Sequence, residues 1–318
     1  MPNWHEIHNE IAQHQQEHSN AAAQTIDIVR RKYLKILSDL TGRNTIAYYS
    51  GFLTKPNVQG IDISDDDINA FMACIHGMDR SKGLDIVLHT PGGGIAATEA
   101  LTGYLKQMFG RDIRSIVPQI AMSAGTMLSL SCKSIVLGKQ SSLGPIDPQI
   151  AGIPADVVVT EFQRAYDEIK LDPLKAHVWA PILGRYMPSF LTQCEYAVDW
   201  SKKFVQEVLE NNMLADDQDK SAKAASIVTA LSSAELNKAH NKHIHIDRLR
   251  NLGVAVERLE DDPRLQDAVL TVHHCFTHTM ASTTAIKVVE NHDGKAAVRH
   301  MAQPTAPQMV SIGFGGPS

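Results

Sequence analysis

Apolar positions recur along this chain in two rhythms, and their alternation lays out the architecture. Short runs rich in β-branched and aromatic residues read as strands: TIAYYSG (45–51), LDIVLHT (84–90), RSIVP (114–118), KSIVLG (133–138) and GVAVERL (253–259). Helical spacing fills the gaps. Residues 64–78 form one helix, opened by Ser64 as N-cap with acids in its first turn. Residues 96–109 form another, with Leu101, Tyr104, Leu105 and Met108 on one face, and 123–132 is a short buried one. Strands alternating with helices at this spacing predict repeated ββα or βαβ units and a largely parallel sheet, covered on both faces.

The flanks have a different texture. Ile26, Val29, Tyr33, Ile36, Leu37 and Leu40 recur at helical spacing up to Thr41-Gly42, whereas residues 1–24 are polar and show no clear apolar face. Residues 156–236 read as wholly helical, broken at Pro173, Pro181 and Pro188, with an amphipathic run at Phe204, Val205, Val208 and Leu209. Residues 264–291 read as a closing helix. The expected division is therefore an N-terminal helical segment (1–40), an α/β core (41–150), a helical insertion (151–236), a completion of the core with a C-terminal helix (237–300), and a flexible tail (301–318). There is no internal repeat.

Composition narrows the picture without deciding it. A chain of 318 residues buries a sizeable core, and a net charge of −5 offers no global basic field for nucleic acid or anionic lipid. No apolar run reaches the length of a membrane span, so no intrinsic membrane segment is expected. Cys74, Cys132, Cys194 and Cys275 lie far apart without paired spacing, which fits reduced thiols and a cytoplasmic location better than a disulfide frame.

Two turns carry the candidate chemistry. In LDIVLHTPGGGIAA a strand runs into three glycines and then a helix, so bare peptide N–H groups can approach a ligand. The spacing matches neither a dinucleotide fingerprint nor a P-loop, and no cofactor is expected. One strand later, IVPQIAMSAGTMLSLSC places Ser123 where a strand ends and a helix begins, among small residues. The N–H groups of Ala124 and Gly93 can there converge on one oxygen, with the Ser123 hydroxyl as nucleophile beside an oxyanion hole. The plainer reading is that Ser123 only caps its helix.

The succession strand–TPGGG–helix–strand–AMSAGT–helix–strand–LGPIDPQ resembles the Clp-peptidase/crotonase superfamily. It is most similar to the serine dehydrogenase proteinase branch, a relative of signal peptide peptidase A. The resemblance covers 41–150 well, returns at 235–260 and is faint in the helical middle. It implies stacked ββα units and a peptide-bond hydrolase, with Ser123 as nucleophile and Gly93 and Ala124 as oxyanion donors. It also implies a polypeptide substrate and a homo-oligomer. The histidine that Clp-type peptidases carry after the serine helix is replaced here by Gly144. The branch order Ser, Asp, His maps instead onto Ser123, Asp147 of GPIDPQ, and His240 of AHNKHIHID, with His243 as the alternative base. Relatives of signal peptide peptidase A use a lysine, which keeps Lys170 and Lys175 open.

Two rivals stay open on the same residues. One is a crotonase-like acyl-CoA enzyme, which uses the same two-amide oxyanion hole without a serine nucleophile. The other is a catalytically inactive oligomeric scaffold. HIHID (243–247) has the start of a metal motif, but Arg248 stands where another histidine would follow, and His274 and His278 read as a helix face. No metal site is assigned.

Overall fold

The computed structural model describes residues 3–17 and 22–301, with backbone only at 17, 22–24 and 234. Two helices, α1 (Trp4–Glu17) and α2 (Ala22–Thr41), lead into an alternating series. It runs β1 (Asn44–Ser50), α3 (Asp67–Ile75), β2 (Leu84–His89), α4 (Ile95–Phe109), β3 (Ile113–Val117), β4 (Ile120–Ala121), α5 (Ala124–Leu130), β5 (Ser134–Leu137), β6 (Ser142–Leu143), β7 (Gln149–Ile150) and β8 (Ile153–Pro154). A helical stretch follows: α6 (Ala155–Leu171), α7 (Ala176–Leu183), α8 (Phe190–Val208), α9 (Lys220–Ser232), α10 (Ala234–Asn237) and α11 (Ile246–Asn251). The described chain closes with β9 (Val256–Arg258), α12 (Pro263–Ser282), β10 (Ala285–Asn291) and β11 (Ala296–His300).

The main sheet has the order β11-β10-β1-β2-β3-β5-β9. Its five strands from β1 to β9 are parallel, and β10 and β11 join antiparallel at one edge. Every residue of β1 and β2 is buried, as expected of strands covered on both faces. One face packs Ile46, Ile86 and Leu88 against Phe71, Leu101, Leu105 and Leu128, and also against Phe204, Val205, Ile227 and Leu231. The other packs Tyr49, Val87 and Ile116 against Leu34 and Leu37 of α2 and Val272 and Phe276 of α12. Each such side chain contributes roughly 1.5–3 kcal/mol by leaving water. This is a mixed α/β fold of the stacked-unit kind, led by an N-terminal helix.

The structure corrects the pattern reading in four places. The closing helix ends at Ser282, and AIKVVEN (285–291) is strand β10, paired with β1 and turned into β11 through Asn291–Gly294. Polar residues inside this buried strand obscured it. Lys287 is neutralised by Asp67 at 2.8 Å, and Glu290 is held by Arg30 and Arg31. The N-terminal residues do have an apolar face: Ile7 and Ile11 of α1 pack on Ile26, Val29 and Cys275. Ser64 caps nothing: its Oγ is buried with no partner among the described residues, and α3 starts later. Asp67 accepts the Ser64 N–H (3.0 Å) and the Tyr48 hydroxyl (2.8 Å). Pro181 does not break its helix but sits inside α7, where the exposed His177 turn meets water and the lost N–H is tolerated. The tail from 302 onward lies outside the described residues.

Candidate active site

Two-residue strands outside the main sheet assemble the site. Thr90 bridges Ala121, β4 pairs with β6, and Leu143 bridges Ile244. Four segments far apart in sequence thus lie side by side over the carboxyl ends of the parallel strands: 90–94, 120–125, 142–147 and 240–244. In open α/β sheets that is where ligands bind. All the residues of interest except the two lysines sit on these four segments.

Ser123 stands at the entrance of α5 with φ +50° and ψ −116°, a conformation L-residues rarely adopt. Its hydroxyl makes no capping bond to the helix, so the capping role does not account for it. It is half-buried, and backbone strain of about 1–3 kcal/mol at such a residue is held only by surrounding structure. The geometry is that of a sharp strand-to-helix turn presenting a side chain.

The glycine turn lies directly against it. A Cβ on Gly92 (φ +109°) would stand 2.8 Å from Ser123 Cβ, 2.8 Å from Met122 O and 3.1 Å from Ala124 N. A Cβ on Gly93 would collide with the backbone of Ile63, which grips the turn from the other side. Ile63 N–H donates to Gly92 O (2.7 Å) and Gly94 N–H donates to Ile63 O (3.0 Å). These bonds use the neighbours of Gly93 and leave its own N–H without an acceptor among the described residues. The N–H of Ala124 is free in the same sense, because the first turn bonds of α5 start at Gly125 and Met127.

Asp147 is buried and holds two partners. Its Oδ1 accepts from Nδ1 of His240 at 2.9 Å, and its Oδ2 accepts from the Gln149 amide at 2.9 Å. With Nδ1 committed, Nε2 of the half-exposed His240 is the nitrogen left to exchange a proton. No hydrogen bond joins His240 to Ser123 Oγ. Gly144 lies under Met122: a Cβ there would meet Met122 Cε at 2.6 Å and Sδ at 2.9 Å, so a side chain at 144 requires the flexible end of Met122 to swing away.

The alternative bases sit elsewhere or are engaged. His243 Nδ1 bonds Ser142 Oγ at 2.7 Å, and His245 Nδ1 bonds Ser141 O at 2.9 Å. Lys170 and Lys175 lie exposed on the helical stretch, the first over the Tyr166 ring and the second paired with Glu168 at 3.3 Å. Neither is desolvated as a lysine base must be. Trp4 stacks on His278, which also bonds the Trp4 carbonyl at 3.1 Å, so the His274/His278 face receives α1. Sequence reading missed Ile63, Gln149 and Met122. Of these only Gln149, two residues after the carboxylate in the same turn, left a local signal.

The chain matches the ClpP-like SDH-type serine proteinases over residues 13–180. It belongs to that family. Two proteins of Methanocaldococcus jannaschii, both described only as uncharacterized, are similar to it. One is 29% identical over 144 residues, 44% of this chain and 49% of its own length. The other is 27% identical over 205 residues, 64% of this chain and 62% of its own length. The matches thus span about half to three-fifths of these relatives. Membership in a serine proteinase family supports a peptidase role in general. The family match includes Gly93, Ser123, Ala124 and Asp147 but stops short of His240, whose case rests on its bond to Asp147. No helix among the described residues is long and apolar enough to cross a membrane.

Proposed function

We propose that this protein hydrolyses peptide bonds through an acyl-enzyme on Ser123. His240 Nε2 takes the Ser123 proton as Oγ attacks the scissile carbonyl carbon. The oxyanion that forms accepts hydrogen bonds from the Gly93 and Ala124 N–H groups. His240 then protonates the departing amine, and a water activated by the same nitrogen cleaves the ester. Asp147 fixes the imidazole tautomer and faces the imidazolium that develops.

The observation carrying this reading is the 2.9 Å bond between Asp147 and His240, residues 93 apart in sequence, on the same strand layer as the Ser123 turn. A buried carboxylate aimed at a half-exposed histidine has a use beyond packing. Exposed apolar side chains on the helical stretch, Leu171 (87%), Leu174 (73%) and Met187 (77%), support a homo-oligomer in which that stretch meets another copy.

The test is hydrolysis of a fluorogenic, unfolded polypeptide. Ser123→Ala and His240→Ala should each abolish turnover to a similar extent, because such groups act as a unit. Lys170→Ala and Lys175→Ala should leave it intact. Loss of activity in a lysine variant with His240→Ala active would replace the triad by a dyad. Turnover of an acyl-CoA thioester that survives Ser123→Ala would transfer the site to the crotonase-like chemistry.

A further inference from the structure

Thr90 has no part in the chemistry above, yet it touches both turns that carry the serine and the two amides. Its side chain is fully buried. Its N–H donates to Ile120 O (3.1 Å), and its carbonyl accepts from Met122 N–H (3.1 Å), one residue before Ser123. Its Oγ1 accepts from the Gly92 N–H at 3.2 Å, inside the glycine turn. Its Cγ2 lies 2.5 Å from where a Cβ on Gly125 would stand, so the methyl fills the space beside the residue after Ala124. The backbone of one residue therefore binds the serine turn, while the hydroxyl and the methyl of its side chain reach the glycine turn and the helix start respectively.

We propose that the Thr90 side chain is a positioning residue that sets the spacing between the Gly93 and Ala124 amides. The proposal rests on the oxyanion role given to those two amides. The hydroxyl orients the peptide plane at Gly92, next to the Gly93 N–H. The methyl is a lesser spacer against α5, and the hydroxyl carries most of the orientation. The backbone pairing with β4 survives any side-chain change, so the side chain acts on orientation and not on whether the strands meet. A shift of a catalytic group by about 1 Å can cost on the order of a hundredfold in rate.

Thr90→Val keeps the shape and removes Oγ1; Thr90→Ser keeps Oγ1 and removes the methyl. Two readouts separate this proposal from the proposed function. The first is hydrogen–deuterium exchange of the full chain, read on peptides covering 90–94 and 120–125. Thr90→Val should speed exchange in 90–94 while leaving the main-sheet strands unchanged, and Thr90→Ser should stay near wild type there. The second is labelling by a fluorophosphonate. Thr90→Val should lower the maximal labelling rate about 10- to 100-fold with little change in the half-saturating probe concentration, and Thr90→Ser should recover most of it. Should Thr90→Val fail to fold, Thr90→Ala takes its place with the same expectation. Unchanged exchange in 90–94 overturns the proposal whether or not the protein is active, as does Thr90→Ser falling as far as Thr90→Val. Faster exchange in Thr90→Val together with a wild-type protein that never labels would instead leave the positioning role standing and remove the proposed function.

Discussion

The strand-end layer and the helical stretch α6–α8 handle their side chains in opposite ways. Around the layer much of the packing is complete: Thr90, Ala121, Ala124, Leu143, Asp147 and Ile244 are all buried, while Ser123 and His240 stay half-open and His243 is exposed. Along α6–α8, Phe204 and Val205 at the far end of α8 join the main core, but the rest buries mainly a small cluster, Ala155, Val158 and Cys194 with neighbours such as Phe162 and Tyr186. Its most exposed apolar side chains, Leu171, Leu174 and Met187, point into solvent. One region completes most of its packing from its own sequence and leaves Ser123 and His240 within reach of solvent. The other leaves apolar surface uncovered. On this contrast, changes in the layer should alter chemistry with the assembly intact, and changes on α6–α8 should do the reverse.

After Ser123 and His240 themselves, the largest effect is expected at Asp147. Asp147→Asn keeps the shape but favours the wrong histidine tautomer, and turnover should fall about ten-thousand-fold, measured as kcat on an unfolded polypeptide. A loss under tenfold would separate the carboxylate from the chemistry. Next comes Gly93→Ala, whose methyl collides with Ile63 and displaces one oxyanion donor. It should cost about 10²–10³ in kcat. If circular dichroism shows the fold retained and the rate is nearly unchanged, Gly93 is not a donor.

A third prediction concerns acid. His89, at the end of β2 immediately before Thr90, is buried among Tyr49, Phe52 and His273, and its Nδ1 has no partner among the described residues. Burial pushes its pKa down from 6.5 to about 4, and that of His273 to about 3. A lowered histidine pKa means that the unfolded chain binds the proton more readily. Stability is therefore unaffected above about pH 6.5, falls as pH drops through 6.5, and levels only once the folded pKa is passed. For His89 alone the full loss is about 3 kcal/mol. Urea midpoints between pH 7 and 4 should fall steeply in the wild type and less in His89→Leu; parallel slopes would contradict this. The smallest effect on stability is expected on the helical stretch. Leu174→Glu and Met187→Glu should change the folding free energy by no more than about 0.5 kcal/mol yet lower the assembly mass in light scattering. A wild-type monomer, or an unchanged mass, would separate this surface from assembly.

The same contrast explains what the sequence disclosed. β1, β2, β3 and β5 were legible because β-branched runs bounded by glycine and proline have few other homes. TPGGG and MSAGT were legible because glycine at a strand end signals close approach. The layer that joins them was not, since β4 and β6 are two residues long and no periodicity survives at that length. β10 was hidden because Lys287 and Glu290 look solvent-facing until Asp67 and Arg30 arrive from distant segments. The choice between His240 and His243 is likewise tertiary: they are three residues apart, and what separates them is whether Asp147 or Ser142 meets the ring.

The most direct measurement is peptide mapping of the protein after reaction with a fluorophosphonate, run on wild type and on His240→Ala. The account predicts a single adduct on Ser123 in the wild type and almost none in His240→Ala. An adduct on any other residue, or labelling of Ser123 at the wild-type rate without the imidazole, would contradict it.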